Sequence, residues 1–114
     1  MKPDDLLNRM DRLLEEAKEV EQSHYVLENV SPRDRVNGEL FRKWSTSVHH
    51  VVKLAVGSDS VHFSALAEEL QDQRCLLSSF QRCRGILRSA RDDFAQGLLT
   101  SVRELVAAEI FDDL

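Results

Sequence analysis

The chain has 114 residues, 42% of them hydrophobic and 31% charged, and carries a net charge of −5 at neutral pH. That length accommodates one domain with one modest core and leaves no room for a catalytic domain beside a regulatory one, and the composition is that of a globular chain, not a disordered one. The acidic balance weighs against a general nucleic-acid binder, no apolar run approaches the roughly 18 residues of a membrane span, and "MKPDDLLNRM" lacks the apolar core of a secretory signal, so the expected setting is the cytoplasm with no membrane association.

Only four glycines and two prolines punctuate the chain, which favours long helices over many short strands. The first helix is expected from about Pro3 to Asn29. Pro3 suits a first turn, and Asp4 and Asp5 suit the positive end of the helix dipole. Leu6, Met10, Leu13, Ala17 and Val20 recur at spacings of three and four, the signature of an amphipathic helix. "NVSPRD" ends it, with Ser31 able to cap and Pro32 able to open a new turn. The second helix gathers around Leu40, Phe41, Trp44, Val48, Val51, Val52 and Ala55, with Gly38 expected to delay its regular start. Gly57 fits its C-terminal cap, and Ser58 or Asp59 can cap a short third helix holding Val61, Phe63, Leu66, Ala67 and Leu70.

The fourth segment is the strongest. Leu76, Phe80, Cys83, Leu87, Ala90, Phe94 and Leu98 form one stripe, and Leu99, Val102, Leu105, Val106, Ile110 and Phe111 continue it. Gly97 inside a helix costs about 1 kcal/mol relative to alanine. The expectation is one long helix, with two helices broken at Gly97 as the alternative. The ending "AAEIFDDL" has no cap and no basic last turn, which suggests a module cut from a longer protein. No repeat, low-complexity tract or strand-like alternation is present. Cys75 and Cys83, eight apart on a helix, would lie about 12 Å from each other along the axis, too far for a disulfide. Both are expected as reduced thiols, with Cys83 in the core.

Chemistry has few candidates. In "RKWSTSVHH", Arg42 and His49 are seven positions apart, a spacing that returns to nearly the same helical face about 10 Å along the axis. The pair resembles the Arg-x(4–6)-His motif of HEPN ribonucleases. There, an arginine and a histidine from paired helices meet RNA phosphate across a dimer, and these side chains suit acid–base work and phosphate stabilisation. Eleven arginines and four histidines give about one such spacing by chance, and Trp44, Val48, Val51 and Val52 on the same helix have a core to build. The favoured reading is a surface arginine and a partly exposed histidine. His49 and His50 diverge on a helix, and His24 with Glu28 has ligand spacing but no second pair, so no metal is expected. His62 is expected on the surface or packed in a loop.

Five arginines and no acid lie from Arg74 to Arg91. Arg84, Arg88 and Arg91 share one helical side and are candidates for an anion or a partner. The stripe lacks interleaved exposed aromatics, which weakens a single-stranded RNA reading, and pairing with Glu15, Glu16, Glu19 and Glu21 of the first helix is favoured. The adjacent carboxylates Asp92 and Asp93 diverge and do not form an acid–base pair. Gly-rich phosphate loops, paired-cysteine zinc patterns and nucleophile elbows are absent from the sequence, and no cofactor is expected.

Three pieces carry a family resemblance: "FRKWSTSVHHVVKLAVGSDSVHFSAL", "GILRSARDDFAQGLL" and "VRELVAAEIFDDL". The first reads as F-x-x-W-x-T/S, then an apolar helix and a G-x-D-S turn, here Phe41, Trp44, Thr46, Gly57, Asp59 and Ser60. The second carries Gly85, Leu87, Ala90, Asp93 and Gly97. Over roughly residues 40–114 the chain resembles a family of bacterial helical proteins without an assigned activity. In its longer members, a HEPN-like region follows the helix ending "FDDL", and some carry defence-type effector domains. The resemblance implies an N-terminal module and assigns no catalytic residue to this chain.

The fold expected is an all-α bundle of about four helices with a long C-terminal helix, occupying residues 1–114 as one helical domain. Trp44, Phe41, Phe80, Leu87 and Phe94 are expected to anchor the core. The leading function is a non-catalytic interaction or oligomerisation module, and the alternative is a HEPN-like ribonuclease using Arg42 and His49. A helix four of nearly 40 residues would run about 60 Å, against about 30 Å for a globule of this size. Leu105, Ile110, Phe111 and Leu114 are therefore the expected interface, with a second copy or another protein as partner.

Overall fold

The computed structural model describes the backbone of residues 2–27, 31–71 and 74–112, and the side chains of those up to position 97 except Ser31 and Pro32. Four helices, α1 (Pro3–Gln22), α2 (Gly38–Val56), α3 (Val61–Glu69) and α4 (Leu77–Asp112), form an all-α bundle, and a two-stranded antiparallel hairpin, β1 (Tyr25–Leu27) with β2 (Ser31–Arg35), joins α1 to α2.

The hairpin corrects the reading of one helix to Asn29. α1 stops at Gln22, where the run Tyr25-Val26-Leu27 brings aromatic and β-branched residues that favour extended backbone. Pro32 opens no helix. It sits in β2, and a two-stranded ribbon has only edge strands, which tolerate a residue without an N–H. Tyr25, Val26 and Leu27 are all exposed.

α2 begins at Gly38 without delay, because the Asn37 side chain accepts a hydrogen bond from the Leu40 N–H at 3.0 Å. Gly57 closes the helix at φ +89°, a conformation costly to residues with a Cβ. The cap of α3 is Ser60, not Ser58 or Asp59; its hydroxyl accepts from the Phe63 N–H at 3.0 Å. α4 is a single helix of 36 residues that passes through Gly97 without breaking. Leu76 lies just before it, bridged to Arg35 of β2.

The core takes one stripe from each helix. Leu6, Met10, Leu13, Ala17 and Val20 of α1 meet Phe41, Trp44, Val48, Val51 and Val52 of α2, Leu66 of α3, and Phe80, Cys83, Leu87 and Ala90 of α4, all buried. Phe41, Trp44 and Phe80 make an aromatic cluster with ring centroids 5.1–6.3 Å apart, close enough for tilted ring contacts to add to their burial. Phe94 anchors less than expected, being half-buried at the edge of this core. Leu40, read as an inward residue, is exposed.

Side-chain pairs fix the direction of each helix. Arg84 of α4 meets Glu21 and Arg91 meets Asp11, so α1 runs antiparallel to α4. Arg82 meets Glu69 and Asp93 meets His62, so α3 does too. Trp44 on Leu13 and Asn37 on Ser23 set α2 antiparallel to α1 and hence parallel to α4. The bundle is up-down-up-down. Carried along this register, the far ends of α1, α2 and α3 all fall level with about positions 93–99 of α4, which continues for about 20 Å beyond them. The molecule measures 74 × 24 × 19 Å.

Candidate functional site

Arg42 and His49 sit two turns apart on α2 and line the same cleft, of about 570 Å³. Its apolar wall is Phe41 with Ala67 and Leu70 from the end of α3, and Gln71 and Cys75 complete the rim. His49 is half-buried and lies against Phe63, ring centroids 4.7 Å apart with planes at 32°. Ser45 and Thr46 also line the cleft, but their hydroxyls donate to the Arg42 carbonyl at 3.2 and 2.7 Å, so they serve the helix first.

Arg42 is exposed. Its guanidinium lies back along the start of α2: Nη2 is 3.7 Å, and Cys75 Sγ 3.6 Å, from the point a Cβ on Gly38 would occupy. Cys75 does not belong to a helix. It holds φ +55° just ahead of α4, and its carbonyl accepts the Val36 N–H at 2.9 Å. A positive φ on a non-glycine residue is a strained choice; here it stitches the α3–α4 connection to the hairpin and brings the thiol to the head of the cleft.

Among the described residues, neither the Arg42 nor the His49 side chain has a hydrogen-bond or ion-pair partner, and no carboxylate lines their cleft. Among the described residues no hydroxyl, thiol or carboxylate is bonded to His49, so none of them pairs with it as nucleophile with base. The arrangement offers two unspent donors at either end of an apolar wall, which is the chemistry of binding an anion.

Arg84, Arg88 and Arg91 meet different fates. Arg84 pairs with Glu21 and lies over the Phe80 ring, 5.1 Å from its centroid. Arg91 donates to Asp11 at 2.8 Å and to Asp92 at 3.2 Å. Arg88 is exposed with no partner among the described residues. Two of the three cations are thus neutralised by α1 and its neighbourhood, through Glu21 and Asp11 and not through Glu15, Glu16 or Glu19.

The side chains of Leu105, Ile110 and Phe111, and all of Leu114, lie outside the described residues, as does Glu28 of the His24–Glu28 pair. Among the described residues no group of three or more His, Cys, Asp or Glu side chains could hold a metal ion, and no helix is long and apolar enough to cross a membrane. His62 contacts Asp93 at 2.7 Å. Neither Cys75 nor Cys83 is in a disulfide. Burial pushes the Cys83 thiol up to about 12, with the Glu69 carboxylate adding to the rise and Arg82 opposing it, so this sulfur is inert packing.

Comparison with known protein families, curated proteins and solved structures finds no match for the chain.

Proposed function

We propose that the chain is a non-catalytic helical interaction module in which the distal part of α4 docks a second copy of the protein. The observation that carries this reading is the mismatch of helix lengths. α4 runs to Asp112, about 20 Å past the level where α1, α2 and α3 end. The sequence of that stretch holds Leu99, Val102, Leu105, Val106, Ile110 and Phe111. A helix of that composition without a neighbour leaves apolar surface in water, and pairing two copies about a two-fold axis removes it. The resemblance noted above is in keeping with a module of a larger cytoplasmic bacterial protein, with a defence setting as its context and a HEPN-like region beyond it.

Sedimentation at micromolar concentration tests this, with wild type set against the double variant Ile110→Asp, Phe111→Asp. The expected result is a dimer for the wild type and a folded monomer for the variant, melting lower only by what association adds at that concentration. A wild type that stays monomeric overturns the reading.

One observation favours a second reading, a ribonuclease using Arg42 and His49: both line one cleft without partners of their own. RNA cleavage by the wild type, lost in both Arg42→Ala and His49→Ala with the fold intact, is what that reading requires. The interaction reading expects no such cleavage.

A further inference from the structure

We infer that the cleft between α2 and the end of α3 is a binding site for a small organic anion, an apolar body carrying a phosphate or carboxylate group, with Arg42 receiving the charge and His49 a second polar group. This goes beyond the docking role of α4 and involves none of its residues.

Charge singles this cleft out. Three other cavities in the described surface hold cations, and each also holds its own neutralising acids: Arg9 and Arg12 with Asp5 and Glu16, Arg33 with Asp34, and Lys43 with Glu16 and Glu19. The arginines of α4 that face other helices are likewise paired, Arg82 with Glu69, Arg84 with Glu21 and Arg91 with Asp11. Acids outnumber bases 20 to 15 in this chain, so a cleft that gathers a guanidinium and an imidazole with no carboxylate among its described lining residues stands against the composition. An unspent guanidinium beside low-dielectric walls is a site of positive potential.

Size and lining narrow the ligand. A volume of about 570 Å³ falls in the range of small-molecule sites, which are mostly apolar with a few placed polar groups. Phe41, Ala67 and Leu70 supply the apolar wall. Arg42 and His49 lie about 10 Å apart along α2, and the Arg42 guanidinium lies back toward Gly38, so a ligand that meets both carries its charged and polar groups at opposite ends of an extended apolar body. A nucleic-acid strand needs a basic track that extends beyond one arginine, and the acidic balance of the chain does not provide it.

The test is a titration of the full chain, followed by the amide signals of residues 41–49 and 66–71 in NMR spectra, with phenyl phosphate, benzoate, phenol and inorganic phosphate as probes. Saturable shifts confined to those amides are expected for phenyl phosphate or benzoate, with a Kd on the order of 1 mM or tighter, and the better of the two identifies the head group. Phenol and inorganic phosphate each lack half the ligand and should bind about tenfold more weakly. Arg42→Gln should weaken binding by a similar factor at an unchanged melting temperature. Lys43→Gln, whose side chain lines a different cavity, should leave binding as it was. The inference is overturned if neither anion saturates, if phenol binds as well as phenyl phosphate, or if Arg42→Gln binds as the wild type does. It is equally overturned if a short single-stranded RNA displaces phenyl phosphate from these amides at lower concentration, because the cleft would then be part of a nucleic-acid surface.

Discussion

The indole N–H of Trp44 donates a hydrogen bond to the backbone carbonyl of Leu13 at 2.8 Å, inside the core. This one contact ties α2 to the middle of α1 and aligns the two apolar stripes. The ring itself is buried against Phe41 and Phe80. Trp44→Phe keeps an aromatic ring but loses the hydrogen bond and part of the volume, and is expected to cost about 2 kcal/mol. Trp44→Ala opens a large cavity and should cost about 3–5 kcal/mol. Chemical denaturation of the three proteins measures both, and equal costs for the two variants would show that the hydrogen bond carries the effect and the packing little.

Cys83 should set part of the alkaline limit of the fold. Its thiol is raised from 9.0 to about 12 by burial. Below pH 9 the folded and unfolded chains both hold this proton, so its contribution is fully present. Between pH 9 and 12 the unfolded chain releases the proton and the folded chain keeps it, so stability falls as pH rises. Denaturation curves from pH 8 to 11 should therefore fall more steeply for the wild type than for Cys83→Ala. Alkylation provides a second reading: iodoacetamide at pH 8 should leave Cys83 unmodified in the folded protein and reach it on unfolding. Parallel pH profiles for the two proteins would contradict the assignment.

The two ion pairs along the α1–α4 seam differ in what surrounds them. Arg84 is the more buried cation and also covers the Phe80 ring, whereas Arg91 shares its charge between Asp11 and Asp92 nearer the surface. Exposed pairs contribute about 0–1 kcal/mol, and a cation over a ring adds about 0.5–1 kcal/mol. The expected order of destabilisation is Arg84→Ala, then Arg91→Ala, then Arg88→Ala near zero. A double-mutant cycle on Glu21 and Arg84 isolates the first pair, and Arg88→Ala as the worst of the three would show that the register is held elsewhere.

The helices and their buried faces were legible because periodicity reports burial directly. Met10, Val48, Phe80 and Leu87 were each placed by spacing, and each is fully buried. The hairpin was not legible. Three residues of β1 are too short a run for alternation to register, and Pro32 is an ordinary sign of a helix start. Asn37 before a helical stripe is itself a cap signal, and Gly38 beside it, a poor helix former, obscures where the stripe begins. The spacing of Arg42 and His49 did put two residues on one face. It could not show that Leu70, Gln71 and Cys75 return to that face from a segment about 30 positions away, nor that Cys75 would adopt a positive φ. Such placement is a property of the tertiary fold, and local pattern carries no trace of it.

The division of labour along α4 gives the last prediction. Every buried core residue of α4 described here lies at or before Ala90, and Phe94 closes the edge of the core. Gly97 is exposed, and a Cβ added there would meet nothing within 4 Å, at the level where the register brings α1, α2 and α3 to their ends. A chain ending after Gly97 should consequently keep the bundle. Its melting temperature in dilute solution should fall by less than about 5 °C, the size of a change of about 1 kcal/mol in a domain of this length. Some loss is expected, because the new end of α4 frays within a turn of Phe94. The concentration dependence of melting should vanish in the shortened chain if residues 98–112 are the docking element, since a dimer melts higher as concentration rises and a monomer does not. Circular dichroism across a hundredfold range of concentration reads both quantities at once. A shortened chain that fails to fold would mean that the distal residues complete the core of the same molecule, and that the apolar stretch after Gly97 has its partner within the chain.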